Sequence, residues 1–187
     1  MTDAIQARLP IQLVYAIGHL IAANRDHHDT SRGPLGKVCV RRVDNATVQL
    51  SGTDGRALMS VEVSCAHNLP EGQTFVVDDV PSRAPRVSLH KVPFLPPLSR
   101  WEAVVDPCLL AKSLSRFEAD GRPGAFDPRL GEACMRAMRH CGAGFVEVAC
   151  NREVAKFTTA NRWGPTQLVV LLAGVRLSCH TEEDAET

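Results

Sequence analysis

Apolar side chains recur at helical spacing over residues 10–24: Ile11, Val14, Tyr15, Gly18 and Ala22 share one line, widened by Leu13, Ile17, Leu20 and Ile21. Pro10 suits a first helical turn, and only Gln12, His19, Ala16 and Ala23 make the other face, so this helix is predicted to be mostly buried. A polar loop, 25–36, follows. The pattern then changes to partial alternation over 37–43, 47–50 and 57–65, which predicts three strands. Asp44-Asn45 links the first two. The segment 51–55 links the next two, and its Asp54-Gly55 pair is a hairpin signal because both residues tolerate positive φ. A fourth strand is predicted over 73–80, after the turn Pro70-Glu71-Gly72.

Pro81, Pro85, Pro93, Pro96 and Pro97 make 81–100 a stiff connector and the best internal boundary. Beyond it, 101–105 is a strand candidate. Asp106-Pro107 opens a helix to about 117, with Leu109, Leu110, Leu114 and Phe117 on one face; Asp127-Pro128 opens another to about 141. In both, Asp is a good N-cap and Pro fits the first helical position, and Gly142 closes the second helix. Strands are predicted over 145–150, 153–159 and 167–172, with Asn151-Arg152 as a tight turn, before an acidic tail at 181–187. The expectation is one α+β domain over 1–187. Half one covers about 1–80 and half two about 101–177, each a helix-plus-antiparallel-strand unit, with two sheets and the helices packed on one side.

Composition narrows the function. Apolar residues at 44% and charged residues at 22% exclude a disordered tail, a collagen-like chain and a disulfide scaffold. Lys plus Arg (21) cancels Asp plus Glu (21), so any nucleic-acid contact must come from local segregation of charge. Seven cysteines, an odd number without a C-x-x-C pair, read as small reduced hydrophobes. The first ten residues hold no apolar leader, and the longest apolar run, 168–175, is too short for a bilayer, so a soluble cytoplasmic protein is expected.

The helix at 128–141 segregates charge most clearly. Leu130, Cys134, Ala137, Met138 and Cys141 share one face, while Arg129, Arg136 and His140 fall opposite at i, i+7 and i+11, flanked by Arg139 and Glu132. Such a stripe suits phosphate contact; a solvated face with incidental arginines has the same pattern. Lys112 and Arg116 extend the idea on the preceding helix. The first helix offers only His19 and the terminal Arg25. Other chemistry is poorly supplied. His27-His28 with Asp26 and Asp29 reads as a polar loop, and adjacent His140 and Cys141 diverge by about 100° on a helix, so the imidazole does not activate that thiol. No G-x-S-x-G, phosphate loop or dinucleotide fingerprint is present, and no cofactor is expected.

The segment 35–63, LGKVCVRRVDNATVQLSGTDGRALMSVEV, resembles the DNA sliding clamps, the beta-subunit-like processivity factors of bacterial replicative polymerases. There a strand, a short turn, a second strand ending in small-Thr-Asp-Gly and a third strand recur in this order, and Gly52-Thr53-Asp54-Gly55-Arg56 matches that element. Phe126-Asp127-Pro128-Arg129-Leu130 is similar to the clamp's approach to its second helix, and 169–177 (VVLLAGVRL) to its closing strand. The resemblance implies a non-enzymatic replication accessory factor that holds double-stranded DNA without reading sequence, closes into a homo-oligomeric ring and engages a DNA polymerase or other replication protein. Arg129, Arg136, Arg139, His140, Lys112 and Arg116 would be its diffuse phosphate contacts. A bacterial clamp subunit has three such domains and this chain one, so the ring would need six copies. Two other readings stand beside it: the same fold without a ring, binding a protein partner through an edge or apolar cleft, and an enzyme using scattered Cys and His residues.

Overall fold

The broad apolar stripe of 11–22 becomes helix α1 (Ile11–Ala22), with eight of its side chains buried. A computed structural model describes residues 4–22, 36–86, 94–101, 106–114 and 124–174. Strands β1 (Cys39–Arg42), β2 (Thr47–Thr53), β3 (Ala57–Ser64) and β4 (Thr74–Val77) follow α1, then β5 (Leu98–Arg100), α2 (Pro107–Leu114), α3 (Pro128–His140), β6 (Glu147–Cys150), β7 (Val154–Thr159) and β8 (Leu168–Ala173).

The strands form one sheet in the order β5-β4-β1-β2-β3-β8-β7-β6, antiparallel throughout. Two sheets were expected. They are joined because β3 pairs with β8, from Ala57 opposite Leu172 to Ser60 opposite Val169. Both strands are buried along most of their length, and an unpaired edge there would leave backbone donors and acceptors without partners inside the core. In order and direction the halves match: α1-β1-β2-β3 and α3-β6-β7-β8 are each a helix followed by a three-strand meander. Their last strands meet, so the arrangement is that of a two-fold passing between β3 and β8. β4 and β5 widen the first half. The proline-rich connector is therefore more than a boundary: it supplies β5, and Phe94 bridges Leu9. The strand expected at 101–105 begins earlier, at Leu98, and 102–105 lie outside the described residues.

Strand alternation sends Val48, Leu50 and Gly52 of β2 towards α1, where they join a core with Leu13, Ile17, Leu20, Met59, Cys134, Met138, Leu168 and Leu172. α1 and α3 pack against each other on this face. α2 does not join them. Gln49 and Ser51 point the other way, the Cys108 thiol of α2 donates to the Gln49 carbonyl, and Cys39, Val76 and Cys108 form a second buried cluster beside Trp101. The expectation of all helices on one side is corrected accordingly. The cause is a non-local tether: the Asp106 carboxylate caps α2 by accepting from Cys108 N at 2.8 Å, accepts from Thr74 Oγ1 at 2.5 Å and pairs with Arg41 at 3.3 Å.

The β2–β3 turn forms as predicted. Gly55 has φ 90°, Asp54 Oδ1 accepts from the backbone N–H groups of Arg56 and Ala57 at 2.7 Å each, and Thr53 Oγ1 donates to the Ala57 carbonyl. Gly55→Val will cost roughly 1 kcal/mol or more, because a β-branched residue resists positive φ. An unchanged melting temperature would contradict this turn geometry.

Candidate nucleic-acid interface

α3 is specified locally at both ends. Asp127 accepts from Arg129 N at 2.9 Å, Pro128 occupies the first turn, and Gly142 follows the helix with φ 75°. Leu130, Cys134, Ala137, Met138 and Cys141 are buried, as the periodicity predicts, and Arg129, Arg136 and Arg139 are exposed on the outer side. Arg136 pairs with Glu132 at 2.5 Å across one helical turn, whereas Arg129 and Arg139 make no side-chain ion pair with any described residue. An exposed i,i+4 pair stabilises by only about 0.3–0.5 kcal/mol, so Glu132 holds the Arg136 guanidinium weakly.

His140 differs from its neighbours. Its ring is half-buried at the seam of the two helices, edge-on to Tyr15 at 4.9 Å and to His19 at 5.8 Å, while Tyr15 stacks on His19 at 5.7 Å. Burial, then His19, then the Arg136 guanidinium push its pKa below the ordinary imidazole value. At neutral pH His140 thus brings a neutral ring rather than a charge. The unfolded chain binds more protons over the interval between the lowered folded value and the ordinary value near about 6.5. Stability therefore falls as pH drops through that interval, and the loss is complete below the folded value. Melting from about pH 7.5 to about 5 should show the wild type losing more stability than His140→Gln; parallel curves would contradict the assignment.

The other sequence-predicted contacts separate. α2 sits across the sheet, so Lys112 belongs to an element on the opposite face from α3, and Arg116 lies outside the described residues. α1 carries no Lys or Arg between Ile11 and Ala22. In their place the structure brings in Arg162, exposed in the β7–β8 loop. Its guanidinium lies 4.3 Å over the Trp163 ring and so close to Gly142 that a Cβ there would be 3.3 Å from Arg162 Nη1. This fourth cation at the C-terminal end of α3 has no helical period to betray it in the sequence.

Across the sheet from α3, between α2 and the outer face of β3, β8 and β7, an open groove of about 630 Å³ is lined by Leu58, Ser60, Leu109, Lys156, Val169 and Leu171 among others. No known protein family, curated protein or solved structure matches this chain. Five of its seven thiols are poorly suited to nucleophilic chemistry: burial pushes Cys39, Cys134 and Cys141 up to about 12 and Cys65 up to about 11, and raises Cys108 as well. Among the described residues no group of three or more His, Cys, Asp and Glu side chains is placed to hold a metal ion; His27 and His28 lie outside them. No described helix is long and apolar enough to cross a membrane.

Proposed function

We propose that this chain is a sliding-clamp-like, DNA-associated protein that acts without catalysis, as a processivity or accessory factor in replication. One observation carries the reading: two helices from topologically matching halves lie side by side on one face of a single sheet, with Arg129, Arg136 and Arg139 exposed on the outer side of α3. Arginines spaced along a helix meet phosphates without reading base edges, which is what a protein that must move along duplex DNA requires. Three contacts bind weakly alone. Repeating them around a closed assembly multiplies their effect.

The sheet edges supply a means of closure. β5 and β6 are its two outermost strands, and the β6 side exposes Phe145 (92%) and Val148 (59%). Pairing β6 of one copy with β5 of the next covers these side chains and continues the sheet head to tail. The assembly is a homo-hexamer around double-stranded DNA, with a DNA polymerase or other replication protein as its partner. Absolute molar mass by light scattering, with and without circular duplex DNA, tests this. Six chains retained on nicked circles and lost on linearisation are expected; a single-chain mass under every condition, or equal retention on linear DNA, would contradict the ring.

A further inference from the structure

The outer face of the sheet carries a feature that DNA contact does not use. Pairing register fixes its floor: Leu58 lies opposite Leu171 and Leu171 opposite Lys156, while one row along Ser60 lies opposite Val169 and Val169 opposite Thr158. Leu58 and Leu171 are 5% and 6% exposed, so they form the bottom of the groove, and Leu109 of α2, 49% exposed, rises as its wall. The size falls within the range of roughly 300–1,000 Å³ typical of small-molecule sites, which combine apolar walls with few polar groups.

Lys156 is the groove cation left over. It is half-buried beside Leu171, and it makes no hydrogen bond or ion pair with any described residue. The other groove cations are engaged: Arg41 pairs with Asp106, and Arg42 donates to the Leu69 carbonyl and to Asn45. The acids of the groove do not compensate Lys156. Glu62 is four residues along β3 from Leu58, roughly 13 Å at the rise of a strand, and Glu71 lies beyond it, before β4. Of the neutral polar groups, Gln49 Nε2 and Ser51 Oγ both donate to Ser60 Oγ, at 3.0 and 2.9 Å, while Thr166 and Gln167 of the lining are exposed to solvent. An ammonium held beside an apolar floor without a described ion pair of its own offers a counter-charge to an anion.

We propose that this groove binds a small amphipathic carboxylate, its hydrocarbon body lying over Leu58, Val169 and Leu171 against Leu109 and its head group on Lys156. A single-headed ligand fits better than a peptide. A peptide brings one donor and one acceptor per residue, and the backbone of the floor strands is already paired in the sheet. The distance from Leu58 to Lys156 is two strand spacings, about 10 Å, which a chain of roughly eight to ten carbons spans.

Calorimetric titration of the full chain with octanoate tests the site, with octanol as the uncharged probe. The expected dissociation constant for octanoate is on the order of 100 μM. Lys156→Met, which keeps the apolar stem and removes the charge, should weaken octanoate by about tenfold or more, to the level of octanol. Leu109→Glu, at a half-exposed position the core does not need, should weaken both probes similarly, with melting curves confirming that each variant is folded. No heat with the wild type, equal affinity in all three proteins, or octanol binding as tightly as octanoate would overturn the proposal. So would self-association of the wild type that Leu109→Glu abolishes, because a second copy would then occupy the groove.

Discussion

Gly52→Val will lower the melting temperature by roughly 6–12 °C, the shift expected when about 3 kcal/mol is lost from a domain of this size. A Cβ at Gly52 would come within 2.5 Å of both Ile17 Cγ2 and Ile21 Cδ1, and within 3.2 Å of the Lys37 carbonyl oxygen. Both isoleucines are buried, Ile17 completely, and a close-packed interior gives way only by moving backbone or forcing rotamers. α1 would have to lift off β2. Adding Ile17→Ala removes one of the colliding groups and should recover part of the loss, so the double variant should be more stable than the two single effects predict by addition. A melting temperature for Gly52→Val within about 2 °C of wild type would show that α1 is not seated on β2 as described.

Replacing Arg129, Arg136 and Arg139 together with alanine will leave folding intact and weaken duplex DNA binding by on the order of 10²–10³-fold per bound chain near 0.1 M salt. Folding is spared because all three side chains are exposed opposite the apolar face, and alanine is the best helix former. Among the described residues the ion pair lost is the exposed Arg136–Glu132 pair. On the proposed reading the contacts are to phosphates, so the loss should be the same for unrelated duplex sequences; a base-reading protein would lose affinity only at particular sites. His140→Gln should have little effect at neutral pH, since that ring is neutral there.

The local features of the fold were legible in the sequence. Asp127-Pro128 and Gly142 bracket α3 at its observed bounds, and Asp54-Gly55 marks the hairpin, because caps and tight turns are decided within four residues of chain. The face of α3 followed from periodicity alone. What could not be read are the consequences of long-range contact. The side of the sheet taken by α2 depends on Arg41 meeting Asp106, 65 residues away, and the merging of two sheets depends on β3 meeting β8. Position on a helix wheel placed His140 among the arginines, but its long ring reaches sideways to Tyr15 and His19 on another helix. Arg162 joins the site from a loop, and Lys112 leaves it because α2 crosses to the far face. The groove at Lys156 is made by strands distant in sequence, so no motif announces it.

The salt dependence of duplex binding tests the central claim most directly. Titrating the wild type and the Arg129, Arg136 and Arg139 triple alanine variant against duplex DNA at several salt concentrations gives the slope of log affinity against log salt for each. Each lost phosphate contact flattens that slope by about 0.9, so the variant should be shallower by between about 1.8 and 2.7, the lower figure applying if Glu132 keeps Arg136 from the DNA. Identical slopes would mean that these arginines never displace counterions from DNA, and would contradict the clamp-like account.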